Sequence, residues 1–127
     1  MTEHRTPLAR VRGLGSAKSG TAHFWHQRLT AVANVPLTIA FVLIVIALLG
    51  RNHAFAQQIL GTPLVAIVIL LFIGSVTYHM RIGMQVIIED YVHDEIAKLV
   101  LIMLNTFFAI AVALASAYAI FKLSFGV

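Results

Sequence analysis

Three apolar runs, each long enough to cross a lipid bilayer, leave this chain few folds to choose from. They are LTAVANVPLTIAFVLIVIALL at residues 29–49, a run over 63–91 that opens PLVAIVILLFIGSV, and IAKLVLIMLNTFFAIAVALASAYAIF at 96–121. A hydrocarbon core about 30 Å thick takes about 20 helical residues. Inside it, backbone polar groups are satisfied only in helices or closed barrels. The sequence therefore predicts an all-α integral membrane protein with three transmembrane helices. A basic N-terminal arm, residues 1–22, precedes a membrane anchor over 23–127. Composition agrees: 60% of the 127 residues are hydrophobic and 11% charged, against about 25% charged in soluble domains.

The positive charge is distributed as in a membrane protein. Five of the nine basic residues (Arg5, Arg10, Arg12, Lys18, Arg28) precede the first run, and the 50–62 connection carries only Arg51. The N-terminus is thus expected on the cytoplasmic side, with the 92–95 connection there too and the C-terminus outside. This is no groove-binding pattern, so nucleic acid is not an expected partner. The absence of cysteine excludes disulfides and cysteine-held iron–sulfur clusters within the chain. The first run is longer than a signal-peptide core and lacks a convincing cleavage site, which predicts that it is retained. An organellar transit peptide fits the Arg-rich arm less well, because almost nothing would remain outside the spans.

The second run changes character where it becomes TYHMRIGMQVIIEDYVHDE, residues 77–95. At about 100° per residue, His79, Gly83, Val86 and Asp90 share one helical face, and Asp90 lies about 16 Å along the axis from His79. With Pro63 starting the helix, His79 lies about 24 Å along it, within the hydrocarbon, while Asp90 and Tyr91 lie about 40 Å along, near its far boundary. A glycine one turn from an imidazole leaves a shelf where a flat group could lie against the backbone. Four readings of His79 remain open on this pattern: a hydrogen-bonded core histidine, a proton relay, a metal-ion ligand, or an axial ligand of haem. His4, His23, His26, His53 and His93 all fall outside the hydrocarbon, so a bis-histidine haem needs its second imidazole from another subunit. Arg81 is about 200° from His79, and its presence predicts protein rather than lipid against that face.

Other features have simpler readings. Asn105 predicts an interhelical hydrogen bond. Ala109, Ala113 and Ala117, with Ala111, Ala115 and Ala119 beside them, predict close packing within the bundle. His23, Trp25 and His26 read as a belt at the headgroup level, and His93, Asp94 and Glu95 as a solvated loop.

A membrane histidine, glycine four residues later and Asp-Tyr at eleven and twelve, on the second of three helices, resembles the small hydrophobic anchor (D) subunit of succinate dehydrogenase, respiratory complex II. The lead-in HFWHQRLTAVA, residues 23–33, is similar to that family's approach to its first helix, and the resemblance spans about residues 20–121. The resemblance implies that His79 is an axial ligand of haem b, with Gly83 beside it and the opposite ligand from a second, cytochrome b-type C subunit. It implies that Tyr91 hydrogen-bonds a ubiquinone carbonyl, that Asp90 serves the same site, and that Arg28 lies near the quinone pocket or a haem propionate. It further implies an iron–sulfur subunit and a flavoprotein subunit that hold the clusters and FAD, a bacterial inner membrane in preference to a mitochondrial one, and no catalysis by this chain alone. The alternatives are a quinol:fumarate reductase anchor, a homo-oligomeric small transporter using His79 as a proton-sensitive group, and a structural assembly factor.

Overall fold

The computed structural model describes residues 5–13, 15 and 20–126; His4 and Lys18 of the arm lie outside them. Five helices follow in order: α1 (Pro7–Val11), α2 (Gly20–Leu48), α3 (His53–Leu60), α4 (Pro63–Tyr91) and α5 (Glu95–Phe125). Three of them, α2, α4 and α5, are long and apolar enough to cross a membrane, at 29, 29 and 31 residues. At 1.5 Å per residue each exceeds the hydrocarbon thickness, so their ends reach the headgroups.

The second helix has the predicted bounds. Pro63 occupies its first turn, where a missing N–H costs nothing. The first helix differs from its prediction: it begins at Gly20 rather than near residue 29. Hydropathy marks where lipid begins, and the polar residues from Thr21 to Arg28 continue the same helix beyond it, which also draws the end of the arm into α2. The third helix likewise runs past both predicted ends, to Glu95 and Phe125. Asp94, read as part of a solvated loop, is its N-cap, with Oδ1 accepting from the Ala97 N–H at 2.7 Å.

The 50–62 connection is also more ordered than predicted. Asn52 Oδ1 accepts from the Phe55 N–H at 2.9 Å and starts α3, whose Leu60 is buried. Gly61 closes it where no larger residue fits: a Cβ there would stand 2.8 Å from the Gln57 carbonyl and 3.3 Å from that of Ser124. The end of α3 is thereby pressed onto the last turn of α5.

Helix α4 is the central element, with α2 and α5 packed against it. Ala66, Ile69, Thr77, Ile82 and Ile88 of α4 are buried, whereas α2 has no buried residue. Stacked rings of Phe41 and Phe72, 4.4 Å apart, hold α2 against α4 away from the polar stretch. On α5, Ala109 is buried at 4% exposure, and it lines a gap against α4 with Ala113, Gly74 and Thr77. The predicted small-residue packing therefore holds for that stripe. Ala111, Ala115 and Ala119 face outward.

Candidate functional site

The polar part of the α2–α4 seam is built from a helical stripe on each side. On α2, His23, His26, Gln27 and Thr30 follow the i, i+3, i+4, i+7 pattern that keeps residues on one face. On α4, Tyr78, His79 and Gly83 turn toward them. The two helices run antiparallel: Thr30 meets His79, Gln27 reaches Gly83, and the ring of His26 reaches Tyr78.

His79 is half-buried. Its Nδ1 lies 3.0 Å from Thr30 Oγ1, a partner on its own chain that the sequence pattern does not reveal. The Thr30 hydroxyl is also 2.7 Å from the His26 carbonyl and 3.1 Å from the Gln27 carbonyl. A hydroxyl has one proton, and a carbonyl can only accept. Thr30 can give that proton to its own helix and accept from His79 Nδ1–H, or give it to Nδ1; the His79 tautomer decides between the two. His79 Nε2 has no hydrogen-bond partner among the described residues.

Gly83 does sit beside this imidazole, but its shelf is not bare. A Cβ at Gly83 would meet Gln27 Nε2 at 3.5 Å, an ordinary contact, and nothing else within 4 Å. The same amide buries its Oε1 without a partner.

One turn along, His26 Nδ1 and the Tyr78 hydroxyl are hydrogen-bonded at 2.7 Å. With His23, Arg81, Ala22 and Ile82 they line a half-open cavity of about 320 Å³. This differs from the belt reading of His26: its ring is engaged with α4. Trp25 is exposed, as a headgroup-level residue would be. The signal for the α2 stripe was present in the spacing of His23, His26, Gln27 and Thr30, but an apolar run that starts at Leu29 hides it.

Arg81 faces α5. Its Nε donates to Thr106 Oγ1 at 3.3 Å, and its backbone carbonyl accepts from Asn105 Nδ2 at 2.9 Å. The predicted interhelical role of Asn105 and the protein-covered face of Arg81 both hold. The next turns of the same stripe are tied by Gln85 Nε2 donating to Glu89 Oε1 at 2.8 Å.

The structure does not bring the remaining predicted residues into this cluster. Asp90 and Tyr91 close α4 and are exposed, Tyr91 at 78%, with no hydrogen-bond or ion-pair partner among the described residues. Arg28 is about 160° around α2 from Thr30, exposed, and its guanidinium stacks 4.8 Å over the Phe24 ring. It faces away from α4. Among the described residues no three His, Cys, Asp or Glu side chains converge, so a bare metal ion has no ligand set here. A single interior imidazole with one nitrogen anchored and the other free suits a planar group that brings its own equatorial ligands, which is the donor set of a haem axial site.

A three-helix membrane anchor with one half-engaged interior histidine and an acid–phenol pair at its helix end defines a recognisable class. The chain matches the succinate dehydrogenase/fumarate reductase transmembrane subunit family over residues 2–120. It is 31% identical over 121 residues to the succinate dehydrogenase hydrophobic membrane anchor subunit of Paracoccus denitrificans, covering 95% of this chain and 93% of that protein. The corresponding Rickettsia bellii subunit is 29% identical over 119 residues, covering 94% and 95% of the two chains. A succinate dehydrogenase membrane anchor subunit of Reclinomonas americana is 36% identical over 98 residues, or 75% of this chain and 82% of that one. The chain belongs to this family, as a membrane anchor and not as a catalytic subunit. No solved structure is significantly similar to it.

Proposed function

We propose that this chain anchors a succinate:ubiquinone oxidoreductase in the bacterial inner membrane, shares haem b with a second, cytochrome b-type anchor subunit, and forms part of the ubiquinone site. The observation that carries the reading is His79: an imidazole inside a membrane helix, with Nδ1 held by Thr30 and Nε2 without a partner among the described residues. His79 would hold the haem iron through Nε2, with a second ligand supplied by the other anchor subunit. When bound, the haem supplies a one-electron store within the membrane. Gly83 allows close approach beside the imidazole. Arg28, turned away from α4, meets the second anchor, where it can face a propionate or the quinone pocket.

Tyr91 and Asp90 are exposed at the end of α4 and have no partners among the described residues, as groups waiting for a substrate would be. Reducing ubiquinone takes two electrons and two protons. The Tyr91 hydroxyl donates to a quinone carbonyl oxygen and stabilises the charge that develops there. Asp90, next to it at the aqueous boundary, relays protons from water. The electrons come from the iron–sulfur subunit, which receives them from the FAD of the flavoprotein. The arm side of the chain is cytoplasmic by its basic residues, so Tyr91 and Asp90 open toward those two subunits. A quinol:fumarate reductase anchor would use the same groups in reverse. The relatives' names support the succinate direction, and family membership leaves the transporter reading without support.

The test is the optical spectrum of the complex purified through this chain in mild detergent, before and after succinate. A b-type haem band that succinate reduces is the expected result. A complete complex that is folded and colourless would overturn the haem reading.

A further inference from the structure

We infer that Thr30 is the positioning residue for His79: its hydroxyl fixes which ring nitrogen carries the proton, and so presents the Nε2 lone pair to the haem iron. The inference rests on the reading of His79 as an axial ligand and adds to it a residue on a different helix.

Three distances carry the argument. Thr30 Oγ1 is 2.7 Å from the carbonyl of His26, 3.1 Å from that of Gln27 and 3.0 Å from His79 Nδ1. The shortest is the back-bond to the His26 carbonyl, the usual use of a helical threonine's one proton. With the proton placed there, the bond to His79 runs from Nδ1–H to oxygen. A β-branched threonine bonded back to its own helix has a stiff χ1. The acceptor is therefore fixed in direction as well as in kind. A ligating histidine generally donates its other N–H to an oxygen acceptor, which sets tautomer and ring orientation. Here the acceptor is a hydroxyl whose own proton is committed to the backbone. The half-buried seam makes loss of that acceptor costly, because the Nδ1–H would be left unpaired.

The link also joins the two helices whose separation matters. Thr30 sits on α2 and His79 on α4, so the hydrogen bond sets how the ring stands relative to the seam. The tautomer with hydrogen on Nε2 would leave Nδ1 facing the Thr30 lone pairs and remove the iron-binding lone pair in the same step.

The experiment uses the assembled complex from haem-depleted cells, titrated with haemin and followed by optical and EPR spectra. Thr30→Val keeps the shape and removes the acceptor; it is expected to weaken haem affinity about 10- to 100-fold and to shift the low-spin ferric g values. Thr30→Ser retains the hydroxyl and is expected to restore both. Unchanged affinity and g values in Thr30→Val would overturn the role of Thr30 and leave His79 as the ligand. Retention of the wild-type low-spin signal in His79→Leu would instead overturn the ligand reading. If Thr30→Val does not assemble, pulsed EPR on the unmodified complex with nitrogen-15 histidine decides. A remote nitrogen that is protonated and hydrogen-bonded supports the inference, and one without a hydrogen bond overturns it.

Discussion

His79 and Arg81 stand two residues apart on α4, and the protein treats them in opposite ways. Arg81 turns to α5, where its guanidinium donates to Thr106 and its backbone carbonyl accepts from Asn105. Its neighbours Ile82 and Ala109 are among the most buried side chains, at 2% and 4% exposure. His79 turns to α2, and only one of its two nitrogens is engaged. Intramembrane polar groups are expensive to bury and mark sites of function. Arg81 is tied to α5 by both side chain and backbone, whereas His79 has one ring nitrogen without a partner among the described residues. The α5 side of α4 is a packed bundle interface within this chain, with Arg81 reaching from it to the edge of the α2 cavity. The α2 side is a seam whose chemistry is left open, and beyond it Asp90 and Tyr91 stand exposed at the helix end, without partners among the described residues.

The comparison breaks most visibly at His79. His79→Leu should abolish the b-type haem band of the purified complex while the chain still assembles, because the apolar contacts with α5 are untouched. An unchanged spectrum would show that the free Nε2 is not a ligand. Tyr91→Phe is the next largest effect and separates the helix end from the helix middle. The haem band should keep its position and intensity, while succinate–ubiquinone reductase activity falls about tenfold or more, the worth of one directed hydrogen bond of roughly 1.4 kcal/mol in the transition state. Equal activity would reduce Tyr91 to an interfacial anchor.

Asn105→Leu probes the other side. Removing its donor to the Arg81 carbonyl should lower the thermal stability of the complex by only about 0.6 kcal/mol, the mean for interhelical hydrogen bonds in a membrane protein. Haem content and quinone reduction should not change. A loss of haem in this variant would mean that the two faces of α4 are coupled after all.

How much of this was readable beforehand follows from the range of each interaction. The bounds of α4 follow from Pro63 and from a hydrophobic run that ends in Glu-Asp-Tyr, all local signals. So does the half-helical spacing that puts His79, Gly83 and Asp90 on one face. The start of α2 was misplaced because hydropathy reports lipid and not backbone hydrogen bonding, and a polar turn of helix looks like a loop. Helix α3 had its own local signal, Asn52 before Phe55, Ile59 and Leu60, obscured by the polar residues around it. Thr30 is 49 residues from His79, and their meeting depends on the antiparallel register of two helices, which no local pattern encodes. For Asn105 the kind of interaction was legible and the partner was not, for the same reason.

Gly83 gives a small effect, and the most discriminating one. The shelf beside His79 was inferred as open space for a flat group, yet the tip of Gln27 lies over it. An added methyl would touch that flexible amide at 3.5 Å, which is ordinary contact, so Gly83→Ala should not impair assembly. Within a helix the change from glycine to alanine even favours the folded chain, by up to about 1 kcal/mol on scales measured in water. Any loss must therefore come from what approaches the backbone from outside the chain. If a haem edge rests there, one methyl group of overpacking costs about 1 kcal/mol, and haemin titration of the depleted complex should show affinity weakened several-fold with assembly intact. Wild-type affinity would assign the shelf to Gln27 alone. The open side of α4 would then consist of the imidazole and the helix end, with packed protein between them.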